Sequence, residues 1–284
     1  MTPESSRGGR KLGQFFTPRP VVDFALAALQ VFGASIEGSR LIDPACGPGE
    51  WLAAGLAAGA GTVTGVDCDP AMPLAWREAG LTSEPNCLLM VADSLAPRIL
   101  PPESFDLVVG NPPFGAALDR RSRREMREMA RHYRLFRKPT GEPTPPEPAA
   151  SDLRRLAGFP TELLFLERFV ELTRDGGSIA LILPEGVMAN HRWRHARAWL
   201  LAEITLNAVV DLPRKTFSAH ATSARTCLLL MHKSPAPTDH HVALAGIEDC
   251  ARETLDNLLR ACGNGSLITD APPEGLIPPP LFRP

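Results

Sequence analysis

Four apolar runs of strand length follow one another within residues 40–111: RLID (40–43), TVTGVD (62–67), NCLLMVAD (86–93) and SFDLVVGN (104–111). Longer helical patterns alternate with such runs. The first is PRPVVDFALAALQVF (18–32), with Pro at its start, followed by GEWLAAGLAAGA (49–60) and a helix from about Pro70. A chain built this way folds as α/β, with a largely parallel sheet covered on both faces. Downstream, TELLFLERFVELTRDGG (161–177) reads as an amphipathic helix capped by Thr161 and ended by its glycine pair. Strands at SIALILP (178–184), LNAVVDLP (206–213) and SARTCLLLMHK (223–233) flank a helix at 191–203. The expectation is a doubly wound, mostly parallel sheet of seven strands with the last antiparallel, plus a peripheral strand and helix within 234–271.

Three of these runs end in an acid: Asp43, Asp67 and Asp93. In doubly wound sheets ligands lie beyond the carboxyl ends of the strands, at the switch point of the strand order. Between the first strand and its helix, DPACGPGEWL places Gly47 and Gly49, where backbone can approach a ligand. The loop meets neither the dinucleotide fingerprint nor the Walker pattern, which disfavours a pyrophosphate or triphosphate. Taken singly, a glycine turn is equally a plain tight connection, and an acid at a strand tip is a solvated side chain. Together, three carboxylates suit a cationic nucleoside without phosphate, and S-adenosylmethionine has that chemistry. An acid-lined Mg²⁺ site is the rival, but no phosphate-handling Lys or Arg stands nearby. No metal is expected.

Net charge is −2, so any basic surface must be local. Six cysteines show no CxxC pair or zinc spacing. No apolar stretch approaches the roughly 20 residues of a membrane span. A soluble protein of a reducing, cytoplasmic compartment is expected. Prolines cluster at 139–148 and 272–284, which read as extended loops or linkers. The expected division is an N-terminal segment (1–18), a catalytic domain (19–233) interrupted at 115–159, and a small C-terminal appendage with a Pro-rich tail (234–284).

DPACGPGEWL, GVDCDP and VADSL resemble the successive cofactor motifs of class I methyltransferases, and NPPF (111–114) the catalytic motif of the amino-methyltransferases within that class. GQFFTPRPVVDFAL is similar to the N-terminal cofactor motif of adenine-N6 DNA methyltransferases, especially type I modification subunits and related N-6 DNA methylases. VVDLPRKTFSAHATSARTCLLLMHK resembles the later strand pair of those subunits, so the likeness covers roughly residues 11–233 in the family's order. Glu50 and Pro48 depart from it, since a small residue and a Thr or Ser are usual there.

The resemblance implies a Rossmann-like fold and methyl transfer from S-adenosylmethionine to the N6 amine of adenine in DNA, within a restriction-modification or defence system. It implies a cofactor site from Phe16, Thr17, Asp43, Ala45, Cys46, Gly47, Asp67, Cys68, Asp93, Ser94 and Asn111. Thr17 is otherwise a helix cap. By the same likeness the Asn111 side-chain oxygen and the Pro112 carbonyl accept from the reacting amine, Pro113 stiffens the corner and Phe114 stacks on a flipped base. Phe217 is a candidate second face of that stack; both rings are otherwise core aromatics. NPP-bearing relatives that methylate protein glutamine or RNA bases are a second reading, and a non-catalytic cofactor-binding scaffold a third.

Directly after NPPF, LDRRSRREMREMARHYRLFRK (118–138) carries nine basic residues against Asp119, Glu125 and Glu128. Phosphate contact, with Arg120, Arg121 and Arg124 as candidates, stands beside a solvated or partner-docking helix. HRWRHARAW (191–199) is a second, more equivocal basic stretch. Only some fifty residues follow position 233, so target recognition is expected from a separate specificity subunit, from a part outside this chain or from weak contacts only.

Overall fold

Leu41 and Ile42 are both fully buried, yet they belong to apolar clusters on opposite faces of their strand. Leu107 and Val109 face one cluster and Val108 the other, so runs that are apolar at every position are buried on both sides. Each such Leu, Ile or Val contributes about 1.5–3 kcal/mol of transfer free energy. The protein is described by a computed structural model covering residues 16–116, 118, 121–137, 147–217, 225–263 and 276–277.

Its strands are β1 (Arg40–Asp43), β2 (Thr62–Asp67), β3 (Cys87–Val91), β4 (Phe105–Gly110), β5 (Thr173–Pro184), β6 (Thr205–Leu212), β7 (Thr226–His232), β8 (Ala243–Ile247) and β9 (Leu276–Ile277). They form a single sheet in the order β3-β2-β1-β4-β5-β7-β6-β8-β9. β1 to β5 run parallel, and β7 lies antiparallel between β5 and β6. The helices are α1 (Arg19–Val31), α2 (Glu50–Ala57), α3 (Met72–Glu78), α4 (Arg123–His132), α5 (Ala150–Ala157), α6 (Thr161–Leu172), α7 (Glu185–Ala189), α8 (Arg194–Glu203) and α9 (Arg252–Gly263). One face is covered by α1, α2 and α9, the other by α4, α6 and α8. The strand and helix expected within 234–271 are β8, which pairs parallel with β6, and α9, which packs on α1.

The strand order reverses between β1 and β4, so the crevice opens there. Pairing of Leu41 with Leu107 and Ile42 with Val108 brings Asp43 beside the end of β4, where Asn111 follows.

Two local expectations fail at α6. Pro160, not Thr161, is the N-cap, and the Thr161 hydroxyl instead donates to the Ala116 carbonyl. The glycine pair does not end the helix, because extended backbone at Thr173 already does so and its hydroxyl donates back to Phe169 O at 2.7 Å. Gly176 and Gly177 then lie inside β5.

Candidate active site

Gly49 caps α2 with φ at +99°, a left-handed value that favours glycine. A Cβ there would lie 2.2 Å from Leu81 Cδ1, so the turn between β1 and α2 is tight by necessity. Its shape is held from two sides. Gly47 N–H donates to Asp67 Oδ2 at 2.8 Å, and Trp76 Nε1–H donates to Gly47 O at 2.7 Å. The other Asp67 oxygen accepts from Asp69 N–H at 2.9 Å. Asp43 Oδ1 likewise accepts from Ala45 N–H at 2.9 Å, and Ser94 donates to Pro44 O across the mouth of the crevice. Backbone and carboxylates thus fix one another at the ends of β1, β2 and β3.

Around this frame lies a cavity of about 570 Å³, within the usual range for small-molecule sites. Asp43, Glu50, Asp67, Asp69, Asp93 and Glu125 line it; among the described lining residues Arg121 is the one cation. Burial pushes the Asp43 carboxyl up to about 8, against the Ala45 N–H and helped by the charge of Asp67. Burial also raises Asp67, partly offset by the N–H groups it accepts. Desolvation, Asp43 and Asp67 together keep Cys46 a thiol.

Asn111 and Pro113 reach the cavity from the end of β4. The approach is close: a Cβ on Gly110 would lie 2.6 Å from Asp43 Oδ1 and 3.2 Å from Phe169 Cζ. The turn after Phe114 is pinned by the start of α6, where Gly115 N–H donates to Glu162 Oε2 at 3.0 Å beside the Thr161–Ala116 bond.

The family model described as N-6 DNA Methylase matches residues 83–254, more than half of the chain. The chain belongs to the N-6 DNA methylase family. Type II methyltransferase M.TthHB8I of Thermus thermophilus is 30% identical over 180 residues, 62% of this chain and 35% of that protein. Defense against restriction protein B of Escherichia phage P1 is 24% identical over 246 residues, 86% of this chain and 9% of that protein. The chain therefore spans about a third or less of the length of these relatives. The methyltransferase subunit of a type I restriction-modification system from Streptococcus thermophilus superposes with a TM-score of 0.63 at 22% identity, over 89% of this chain and 54% of that one. The fold is the Rossmann-like class I methyltransferase fold.

In this N-6 DNA methylase the expected cofactor residues Phe16, Thr17, Asp43, Ala45, Cys46, Gly47, Asp67, Cys68, Asp93, Ser94 and Asn111 all line the one cavity. Thr17 is buried and is not the cap of α1, a place taken by Pro18. Phe16 lies over the glycine turn, 3.2 Å from where a Gly47 Cβ would be. Pro112 is buried, and Phe114 is half-buried against the apolar cluster beneath α1.

Phe217 requires correction. It is 2% exposed inside that same cluster, after a turn closed by Thr216 N–H to Pro213 O, and presents no face to the cavity. Arg121 turns inward: Nε and Nη2 donate to the two oxygens of Asp93 at 2.6 and 2.9 Å. Arg124 is exposed and paired with Glu128, while Arg120 lies outside the described residues.

Several contributors escaped sequence reading. Trp76 carries a helical apolar pattern and nothing that marks its bond to Gly47. Arg168 is fully buried in α6, and its Nε donates to Ser94 O at 2.9 Å, while Tyr133 OH donates to Leu95 O at 2.9 Å. Both hold the cavity wall after β3. Thr161 and Glu162 hold the turn that follows NPPF. The double variant Thr161→Val/Glu162→Ala is expected to slow turnover about tenfold by loosening residues 115–116. Cofactor affinity, read by calorimetry, should stay unchanged; an equal loss in both would make the pair merely structural.

Proposed function

We propose that this chain transfers a methyl group from S-adenosylmethionine to the N6 amine of adenine in DNA, as the modification component of a restriction-modification or defence system. The observation that carries the reading is Asn111 of NPPF facing a cavity walled by Asp43, Asp67 and Asp93. The donor set fits the cofactor. Acids outnumber the single described cation, which is itself neutralised by Asp93, so a cationic ligand without phosphate is favoured over a nucleotide.

Asp67 has acceptor capacity left for ribose hydroxyls after its two backbone bonds, since a carboxylate offers about four lone-pair sites. Asp43 and the acids around it favour the positive end. When bound, S-adenosylmethionine supplies a methyl group on a sulfonium, a strong electrophile. The acceptor amine is a weak nucleophile because its lone pair is conjugated into the base. Asn111 Oδ1 and the Pro112 carbonyl accept its two N–H groups, which favours the pyramidal, increasingly positive nitrogen of the transition state. The prolines restrict the backbone of the corner, which limits the reorganisation this arrangement needs. The proton leaves to water afterwards, so no general base is required. An adenine in a duplex must leave the stack to reach Asn111.

The cavity sets a pH dependence. Asp43 holds a proton up to about pH 8 in the free protein, whereas a bound cation favours its carboxylate. Below pH 8 binding must therefore expel that proton, so affinity for S-adenosylmethionine should rise from pH 6 to 8 and level off above. Calorimetry in buffers of different ionisation enthalpy should show proton release at pH 7 that disappears in Asp43→Asn; pH-independent affinity would contradict the role of Asp43.

The reading is tested by offering the protein radiolabelled S-adenosylmethionine with duplex DNA, RNA or protein. Label in DNA is expected. Label in protein or RNA alone, or cofactor binding without label anywhere, would replace it.

A further inference from the structure

Residues 115–159 interrupt the α/β alternation, and residues 190–197 lie far from them in sequence. The structure brings the two together through a ladder of rings and guanidinium groups. Arg137 lies over Phe136 at 5.1 Å, Phe136 meets Phe159 at 6.4 Å, Phe159 meets Trp193 edge-on at 5.6 Å, and Arg192 lies over Trp193 at 4.6 Å. His195 Nε2 adds a contact of 3.1 Å to Leu135 O. The basic stretch at the start of α8, equivocal in sequence, is therefore a neighbour of the basic stretch after NPPF.

We infer that α4, α5 and the turn at His191–Trp193 leading into α8 form one rigid surface that grips the phosphodiester backbone of duplex DNA. The inference rests on the proposed function and deepens it. Five exposed arginines from three segments, Arg123, Arg127, Arg154, Arg192 and Arg194, have no ion-pair partner among the described residues. Arg124–Glu128 and Arg131–Glu147 are exposed pairs, worth little, and each can give way to a phosphate. All of this sits on a chain whose net charge is −2. The charge is concentrated, as a polyanion site requires.

The surface is also built rather than draped. The Ser122–Glu125 capping box starts α4, with Ser122 N–H to Glu125 Oε2 at 2.6 Å. Tyr133 is fully buried, and Glu167 accepts from Arg134 N–H at 2.8 Å and Leu135 N–H at 3.0 Å. A folded platform pays little ordering entropy when it binds. Its position is informative too: α4 starts where Arg121 and Glu125 line the cavity, so the platform borders the place an extruded base would enter. A helix of ten residues spans about 15 Å, and duplex DNA offers one charge per ~1.7 Å, so several contacts fit along α4 alone.

The test is duplex binding by the full chain, read as fluorescence anisotropy of an unrelated 30-mer across a salt series (a length of about three helical turns). Three variants are compared: Arg123→Ala/Arg127→Ala, Arg192→Ala/Arg194→Ala, and the control Arg252→Ala/Arg260→Ala on α9. The first two should each weaken binding about tenfold and flatten the slope of log K against log salt by about 2. The control should match wild type, and all should bind S-adenosylmethionine normally, which excludes misfolding. If the Arg192/Arg194 variant behaves like the control, the surface is not composite and the inference falls. Tighter binding of duplex RNA than of DNA overturns the partner. If wild type binds duplex with the expected slopes but labels no DNA, the surface stands and the proposed function falls.

Discussion

Replacing Asn111 with Ala is expected to cut methyl transfer by about 10³-fold while leaving affinity for S-adenosylmethionine within about threefold. The asymmetry follows from when the bond matters. In the ground state the acceptor amine is planar and nearly neutral, and its N–H groups are adequately paired with water. As the new C–N bond forms, the nitrogen becomes pyramidal and positive, and its N–H groups become strong donors aimed at fixed acceptors. An interaction that strengthens only on the way to the transition state lowers kcat rather than binding. The backbone around the amide is tightly restrained. Asn111 follows a strand end pressed so close to Asp43 that only a glycine fits at position 110, and the prolines after it leave the corner little freedom. Single-turnover rates and calorimetry on the same preparation would check both halves. Parallel loss of binding and rate would assign Asn111 to the cofactor alone.

Asp67→Ala should do the opposite, weakening S-adenosylmethionine at least about 100-fold. Two effects add. The carboxylate that would accept the ribose hydroxyls is gone, each such charged hydrogen bond being worth about 1.5–3 kcal/mol. Gly47 N–H also loses its acceptor, so the glycine turn is held from one side only, by Trp76. At saturating cofactor the remaining turnover should stay within about tenfold of wild type, because the acceptor corner is untouched. Asp67→Asn is informative beside it, since an amide can keep one acceptor oxygen but sets an N–H against an N–H. Titration by intrinsic tryptophan fluorescence, with Trp51 in the cavity wall and Trp76 bonded to the turn, would read binding directly. Wild-type affinity in Asp67→Ala would remove Asp67 from the site.

Much of the architecture was legible because it depends on pattern. Runs apolar at every position, separated by crossover helices, dictate a parallel sheet buried on both faces, and the acids at three strand tips then converge on one edge. The ordered motifs add Phe16 and Thr17, which no periodicity would place in the cavity wall. What stayed hidden depends on contacts distant in sequence. Thr161 looks like a cap, yet its hydroxyl serves the Ala116 carbonyl 45 residues earlier. Arg121 looks like one more solvent-facing charge in a basic run, but the carboxylate of Asp93 draws it into the cavity wall. Phe217 follows a polar turn and was open to either role; apolar burial decided it. The helix α5 lay in a stretch whose neighbouring prolines masked a short amphipathic pattern. Trp193 could be placed only once Phe159 was seen against it.

The most direct test of the central claim is the chemical identity of the product. DNA incubated with the protein and isotopically labelled S-adenosylmethionine is digested to nucleosides and analysed by mass spectrometry. Label is expected in N6-methyl-2′-deoxyadenosine and is lost in Asn111→Ala. Label on a ring carbon of cytosine, or unchanged label in Asn111→Ala, would contradict an amide and a neighbouring carbonyl gripping an exocyclic amine.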